Sequence, residues 1–329
     1  MSPVQGIHVI YREEVDRWVK GDRYLRPVIR RLLRGERTQF SGMQRVVRNF
    51  LIGLTKRNVK YFFNRPFFTI SGSKKVISFG LGINGLAGLN RASPVIAAIG
   101  FPYPAELPEL CSEYNIKKFL VHSNWILEFV KSAGIYNDQI FDLWPAGIDT
   151  DVWRPAACAK AKEIDVLLYN KAYWDTANTN RELVQPIRNF LHRNNYSFSE
   201  ITYGKYSIED YKSQLRRAKA MIFLSAHESQ GLAYQECLSS NVPVIAWDQG
   251  YWLDPVRYKY KRPTVRATSV PYFDERCGVK FTDINDFVTK FQPFFENCLM
   301  NNFKPRDFVL ENLSIEKSTD QMLKIYESI

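Results

Sequence analysis

The chain has 329 residues, a formal net charge of +11, and 45% hydrophobic against 24% charged side chains. That length exceeds what one core usually serves, so two domains are expected, and the composition is that of a soluble globular protein. No apolar run reaches the roughly 18 residues that span a bilayer, and the opening MSPVQGIHVIYREE lacks the order of a secretory signal, so a cytoplasmic protein is expected.

The charge is concentrated at the start. Residues 1–60 hold 14 Lys and Arg against 5 Asp and Glu, clustered in RYLRPVIRRLLRGER (Arg23–Arg37) and QRVVRN (Gln44–Asn49). Such a cluster suits a polyanion, a phosphorylated acceptor or an anionic membrane surface; otherwise it is a solvated face that aids solubility. In the first cluster apolar and basic residues interleave, as in a peripheral amphipathic helix at the inner face of a membrane.

Strand-like runs follow one another along the chain: 6–11, 59–63, 74–79, 94–100, 117–123 and 140–144, then 165–170, 198–204, 218–225, 242–247 and 278–281. They are short, rich in Val, Ile, Leu and Phe, and do not alternate with polar residues, as strands buried on both faces should not. Amphipathic stretches at 43–57, 123–133, 181–193 and 208–217 separate several of them. The alternation predicts an α/β fold of two Rossmann-like, doubly wound parallel sheets facing across a cleft. The joint falls in PAGIDTDVWRPAACAKAKE (Pro145–Glu163), giving domains of 1–147 and 148–313, with a last helix near 314–329 packing back on the first.

Five scattered cysteines (Cys111, Cys158, Cys237, Cys277, Cys298) without a CxxC, and four dispersed histidines, argue against a disulfide framework and a zinc site. Gly80-Leu81-Gly82-Ile83-Asn84-Gly85 is a literal GxGxxG after a candidate strand. Too few residues separate Gly85 from Pro94 for a crossover helix, and the next strand ends at Gly100 without an acidic residue, so a dinucleotide site is rejected. A glycine loop at a cleft edge remains.

The densest signal is HESQGLAYQECLSSNVPVIAWD, residues 227–248. The strand AKAMIFLS ends at Ser225, and ligands bind at that edge of an open α/β sheet. Gly231 permits an unusual dihedral, and LAYQECLSS then reads as a helix whose free first amides make an anion site. Glu228 lies in the loop and Glu236 one to two turns into the helix. Amides for a diphosphate, with a carboxylate for hydroxyls on either side, match a nucleotide sugar. The bland reading is a Glu236–lysine pair and a Glu228 that merely precedes a helix.

Phe223–Asp248 resembles the donor-binding signature of retaining, family 4-like glycosyltransferases of the GT-B fold: Glu228, Ser229, Gly231, Leu232 and Glu236, then Asn241-Val242-Pro243-Val244-Ile245-Ala246, with Asn241 where glycine is usual. SGMQRVVRNFLIGL (Ser41–Leu54) resembles the glycine-led first helix of the acceptor domain. FLVHSNW (Phe119–Trp125) is similar to the strand leading to that domain's late helix, and WPAGIDTDVWRP (Trp144–Pro155) to the interdomain segment. The family's usual Gly-Arg with a later lysine is absent; Lys171 matches the first base and Arg181 the second across a longer loop.

The resemblance implies sugar transfer from a nucleoside-diphosphate sugar, uridine or guanosine, to a glycan, lipid-linked or other hydroxyl acceptor, with retention of configuration. Lys171 and the amides near Gly42, Gly231 and Leu232 would stabilise the leaving diphosphate. Glu228 would hold sugar hydroxyls and Glu236 the ribose, without a cofactor or metal. His122, Tyr103 and Asp248 are candidate acceptor or sugar contacts; Trp125, Trp247, Tyr251 and Trp252 are candidate stacking groups or core. A glycosidase would need two carboxylates flanking the scissile bond, but no phosphate-binding helix end. Two alternatives remain: a sugar transferase acting on DNA bases, and a non-catalytic nucleic-acid- or polyanion-binding protein, each with steeply salt-dependent binding.

Overall fold

Runs such as VISF and VIAA, apolar at consecutive residues, find cover on both sides only inside a sheet flanked by helices. The computed structural model describes residues 6–12, 19, 25, 26, 29, 41–80, 85–98, 100, 106–134, 136–155 and 162–329. It divides into two units: one made of residues up to His122 with Val130–Pro145 and Ser318–Ile329, the other of Ser123–Phe129 and Ala146–Lys317.

In the first unit, β1 (Ile7–Arg12), β2 (Tyr61–Phe63), β3 (Val76–Gly80), β4 (Val95–Ala98), β5 (Ile116–Val121) and β6 (Phe141–Leu143) form a parallel sheet in the order β2-β1-β3-β4-β5-β6. Its middle strands are buried throughout. Helix α1 (Gly42–Lys56) starts at a capping box: the Ser41 hydroxyl accepts from the Gln44 amide at 3.2 Å while Gln44 Oε1 accepts from the Ser41 amide at 2.9 Å. Its buried stripe includes Val46, Val47, Phe50 and Leu54, and Phe50, Phe79 and Trp144 meet ring to ring at 5.6–5.8 Å. Helix α2 (Glu106–Glu113) follows, and helix α3 (Asn124–Ser132) groups with the second unit as far as Phe129 and with the first from Val130. Gly80 closes β3 at φ +144°; a Cβ there would lie 2.1 Å from the Arg12 carbonyl oxygen. The first glycine of the GxGxxG run thus serves strand packing, and residues 81–84 lie outside the described residues.

In the second unit, β7 (Ile164–Lys171), β8 (Phe198–Thr202), β9 (Ala218–Ser225), β10 (Val244–Trp247) and β11 (Gly278–Phe281) form a parallel sheet ordered β11-β10-β9-β7-β8. Helices α4 (Gln185–Arg193), α5 (Ile208–Arg217), α6 (Leu232–Ser239), α7 (Ile284–Leu299) and α8 (Pro305–Asn312) accompany it. One face buries Tyr169, Tyr211, Phe223 and Tyr234, the other Leu168, Ile222, Phe281 and Phe291. Helix α4 is preceded by a helical turn at Thr176–Thr179 and a wide π-type turn at Asn180–Val184, so this helical stretch begins earlier than the expected 181. Asn241 has φ 58°, the left-handed conformation expected where glycine is usual.

Helix α9 (Ile315–Glu327) passes from one unit to the other, and from Ser318 onward it groups with the first. There Trp144 Nε1 donates to the Ser318 carbonyl at 2.9 Å, the Ser318 hydroxyl to the Pro145 carbonyl at 2.7 Å, and Arg57 pairs with Asp320. Among the described residues no helix is long and apolar enough to cross a membrane.

Candidate active site

Strands β7 and β9 run side by side with Lys171 opposite Ser225, so the last residues of two central strands emerge together at the carboxyl edge of the sheet. Three residues beyond Ser225, Glu228 turns back over this edge. Its Oε1 accepts from Lys171 Nζ at 2.7 Å and from the Ser225 hydroxyl at 2.9 Å, and its Oε2 accepts from the same ammonium at 2.9 Å. The backbone is held as well: the Glu228 amide donates to the Thr268 carbonyl at 3.0 Å, and Trp125 Nε1 donates to the Glu228 carbonyl at 2.8 Å. Glu228 is 8% exposed. A carboxylate so enclosed requires such partners, because burying it unpaired would be costly.

The turn into α6 depends on Gly231. Its φ of 79° is left-handed, and an added Cβ would sit 2.1 Å from Cε1 of the fully buried Tyr234. Beneath it lies an amide lattice: Gln230 Oε1 accepts from the Ala146 amide at 2.9 Å, Gln230 Nε2 donates to Gln235 Oε1 at 2.9 Å, and Gln235 Nε2 donates to the Gln230 carbonyl at 2.6 Å. Helix α6 therefore begins from a rigid base, its first amides free of intrahelical partners as in any helix. Ser229 is exposed, Leu232 half-buried and Glu236 buried. The fully packed Tyr169, bonded through its hydroxyl to Tyr206 at 2.7 Å, has its pKa pushed up by burial, by Tyr206 and by the fields of Glu228 and Glu236. This one phenol senses both carboxylates.

Several groups of this edge were not singled out from the sequence. The Lys171 ammonium lies 4.5 Å from the Tyr203 ring centre, at the end of β8. His227 stacks on Trp174 at 6.1 Å with an 18° interplanar angle, and its buried Nε2 has no hydrogen-bond partner among the described residues. Burial, with the charges of Lys171 and Arg257, pushes its pKa down to about 4. Adjacency to Glu228 was the only signal for His227; the others depend on strand register.

Other candidates sit elsewhere. Arg181 is exposed and bonded to Glu182 at 2.6 Å and Asn178 at 2.7 Å; no hydrogen bond joins it to the Lys171–Glu228 pair, because the turn at Asn180–Val184 carries it onto the helix surface. Asp248 anchors a loop rather than presenting a free carboxylate: it accepts from the Thr268 hydroxyl at 2.8 Å and the Ser269 amide at 2.9 Å, with Lys280 at 3.1 Å. Trp125 and Trp252 are core residues, 5.8 Å apart, and Trp247 donates to the Thr282 carbonyl. In the first unit, half-buried His122 contacts the Trp144 carbonyl through Nδ1 at 3.0 Å, and burial lowers its pKa. Gly42 is the exposed first residue of α1. Tyr103 lies outside the described residues, as does the Arg23–Arg37 segment except for Leu25, Arg26 and Ile29. Cys111, Cys237, Cys277 and Cys298 are free thiols, and among the described residues no three His, Cys, Asp or Glu side chains converge as a metal-ligand set.

Two parallel α/β sheets of six and five strands in two Rossmann-like units define the GT-B fold, the architecture of a large class of glycosyltransferases. Solved structures that share it include a glycosyltransferase from Rickettsia africae ESF-5 (TM-score 0.58, 12% identity, 98% of each chain). HepE of Anabaena, solved in complex with UDP, matches with a TM-score of 0.55 and 10% identity over 98% of this chain and 100% of that one. The lipopolysaccharide outer core galactosyltransferase WaaB matches with a TM-score of 0.51 and 12% identity over 98% and 100%. No protein-family profile and no curated protein sequence matches this chain. At these identities the likeness establishes the fold.

Proposed function

We propose that the protein is a glycosyltransferase that moves a sugar from a nucleoside-diphosphate sugar to a hydroxyl acceptor, with retention of anomeric configuration, as the family 4-like signature implies. The observation that carries this reading is the Lys171–Glu228 pair, 2.7 Å apart at the carboxyl edge of the second sheet and next to the glycine-capped start of α6. A donor laid across this edge puts its diphosphate at the first amides of α6 and at the Lys171 ammonium. Glu228 keeps acceptor capacity for sugar hydroxyls, since a carboxylate offers about four lone-pair sites. Glu236 takes the ribose.

In the reaction the bond between the anomeric carbon and the phosphate oxygen breaks, and a bond to the acceptor oxygen forms on the same face. The acceptor's proton passes to the departing diphosphate. Positive charge grows on the sugar and negative charge on the phosphate, so Lys171 and the helix amides favour the transition state over the ground state. These protein charges serve without a metal ion. HepE is solved with UDP and with UDP-glucose, which makes uridine diphosphate the first donor nucleotide to try.

The test is thermal stabilisation by uridine, guanosine, thymidine, cytidine and adenosine diphosphates without added metal, in the native chain and in Lys171→Ala and Glu236→Ala. A ligand at one hundred times its Kd adds about 2.7 kcal/mol of stability. One diphosphate should raise the melting temperature by several degrees, and both variants should blunt the rise. No shift from any diphosphate, with tight salt-sensitive DNA binding instead, would overturn the reading.

A further inference from the structure

The carboxyl edge of the second sheet presents different chemistry on the two sides of Lys171. Strand β7, which ends at Lys171, lies between β9, which leads to Glu228, and the edge strand β8. Tyr203 follows β8 directly. Its amide donates to the Asn170 carbonyl at 2.9 Å, which carries the parallel ladder one residue past the Asn170–Thr202 pair and sets Tyr203 beside Lys171. Side chains two apart on a strand share a face, so Tyr203 follows buried Ile201, and Lys171 follows Tyr169, on one side of the sheet. That side buries Tyr211 of α5 and Tyr234 of α6.

Unlike those core rings, Tyr203 is 48% exposed. Gly204, at φ 78°, and a Lys205 amide that donates to the Thr202 carbonyl at 3.0 Å turn the chain directly after it, which leaves the ring at the rim. The Lys171 ammonium lies over the ring, 4.5 Å from its centre, and among the described residues no other aromatic ring packs on it. A flat apolar surface fixed at a strand end and open to water gains by being covered.

A diphosphate held at Lys171 carries a sugar on one end and a nucleoside on the other. The hydroxyl-rich end suits the β9 side, where the Glu228 carboxylate supplies acceptors. The end that terminates in an aromatic base suits the β8 side, where Tyr203 supplies a π face. Tyr169, on the face between them, feels the charge of Glu236, the carboxylate assigned to the ribose.

We propose that Tyr203 is the platform on which the donor's nucleobase stacks, with the diphosphate at Lys171 and the transferred sugar on the opposite side at Glu228. The assignment rests on the glycosyltransferase reading and deepens it by placing the two ends of the donor. Every nucleobase has a π face, so this contact strengthens nucleotide binding without selecting the base.

Calorimetric titration of the full chain tests this with inorganic pyrophosphate, the five nucleoside diphosphates, UDP-glucose and GDP-mannose. In Tyr203→Ala, affinity for the nucleoside diphosphate that binds and for its sugar conjugate should fall by the same factor, roughly tenfold for one lost stack. Pyrophosphate binding and the melting temperature should hold, because the lost ring is exposed and meets no phosphate. Tyr203→Phe keeps the face and should bind as the native chain does, whereas Lys171→Ala should weaken pyrophosphate and nucleotide alike. Tyr173→Ala removes the other exposed tyrosine of this edge, 64% exposed, and should change none of these affinities. Unchanged nucleotide affinity in Tyr203→Ala overturns the proposal. So does a loss confined to the sugar conjugates, shared equally by pyrophosphate, or matched by Tyr203→Phe or Tyr173→Ala. Nucleotide binding that ignores Tyr203 but needs Lys171 sinks the platform and leaves the transferase reading intact, while a chain that binds no nucleoside diphosphate sinks both.

Discussion

Lys171 Nζ lies 2.7 and 2.9 Å from the two carboxylate oxygens of Glu228, one residue ending a strand and the other three residues past the end of its neighbour. Glu228 is 9% exposed at its side chain and Lys171 23%, so the pair is screened less than a surface bridge and more than a core one. Lys171→Met should destabilise the protein by about 2 kcal/mol, because it leaves an enclosed carboxylate with the Ser225 hydroxyl alone. Glu228→Gln should cost less. Chemical denaturation should then show the double variant to be more stable than the sum of the single losses predicts, by about 1 kcal/mol. Strict additivity would mean that the contact contributes nothing. Turnover of the Lys171→Met enzyme should fall roughly 10²–10³-fold.

Two glycines near chain turns should respond in opposite ways to the same methyl group. Gly231→Ala places a Cβ 2.1 Å from the buried Tyr234 ring at a φ of 79°, so about 3 kcal/mol or more of stability should be lost, and nucleotide binding with it. Gly42→Ala meets no atom of the described residues within 4 Å and lies in a helix, where alanine is the better former by about 1 kcal/mol. Its melting temperature should hold or rise. If its nucleotide affinity nonetheless drops, the space beside Gly42 is occupied by ligand. A melting temperature lowered in Gly42→Ala would refute the open-space reading.

The strands were legible because sheets covered on both faces demand continuous apolar runs: VISF, VIAA and IFLS each lie where that demand is met. Asn241 and Gly231 were legible because a left-handed backbone admits few residue types. What local pattern does not carry is register. That Lys171 faces Ser225, and so reaches Glu228, depends on how β7 and β9, whose paired residues lie 54 positions apart in the sequence, align. Arg181 lies on the helical segment the pattern suggested, but the π-type turn beside it rotates the surface, and 3.6-residue periodicity does not reveal such a turn.

His227 makes the stability of the second unit depend on pH. Its folded pKa is pushed down to about 4 by burial, by Lys171 and by Arg257, against about 6.5 in an unfolded chain. Between these values the unfolded chain takes up a proton that the native state refuses. The contribution is therefore complete above about pH 6.5 and drains away as pH falls toward 4, to a ceiling of about 3 kcal/mol. The melting temperature of the native chain should drop between pH 7 and pH 5, and His227→Gln should drop less over the same interval. Equal slopes would mean that other groups carry the acid sensitivity. Since the buried Nε2 has no partner among the described residues, His227→Phe should also bind a nucleoside diphosphate more weakly than His227→Gln does.

Asp248 distinguishes a loop anchor from a substrate contact. Its carboxylate takes the Thr268 hydroxyl and the Ser269 amide on separate oxygens, with Lys280 beside it, and Thr268 in turn accepts the Glu228 amide through its carbonyl. The chain of contacts runs from Asp248 through one loop residue to the backbone of Glu228. Asp248→Asn preserves the shape but exchanges one acceptor oxygen for a donor, so it should break the contact to Thr268 or to Ser269 and destabilise the protein by about 1–2 kcal/mol. If the anchor reading is right, the loss appears first in stability, and donor KM rises only as the Glu228 loop loosens on warming. A hydroxyl contact would instead raise the KM at every temperature while sparing the melting point, and kinetics at 10 and 35 °C separate the two.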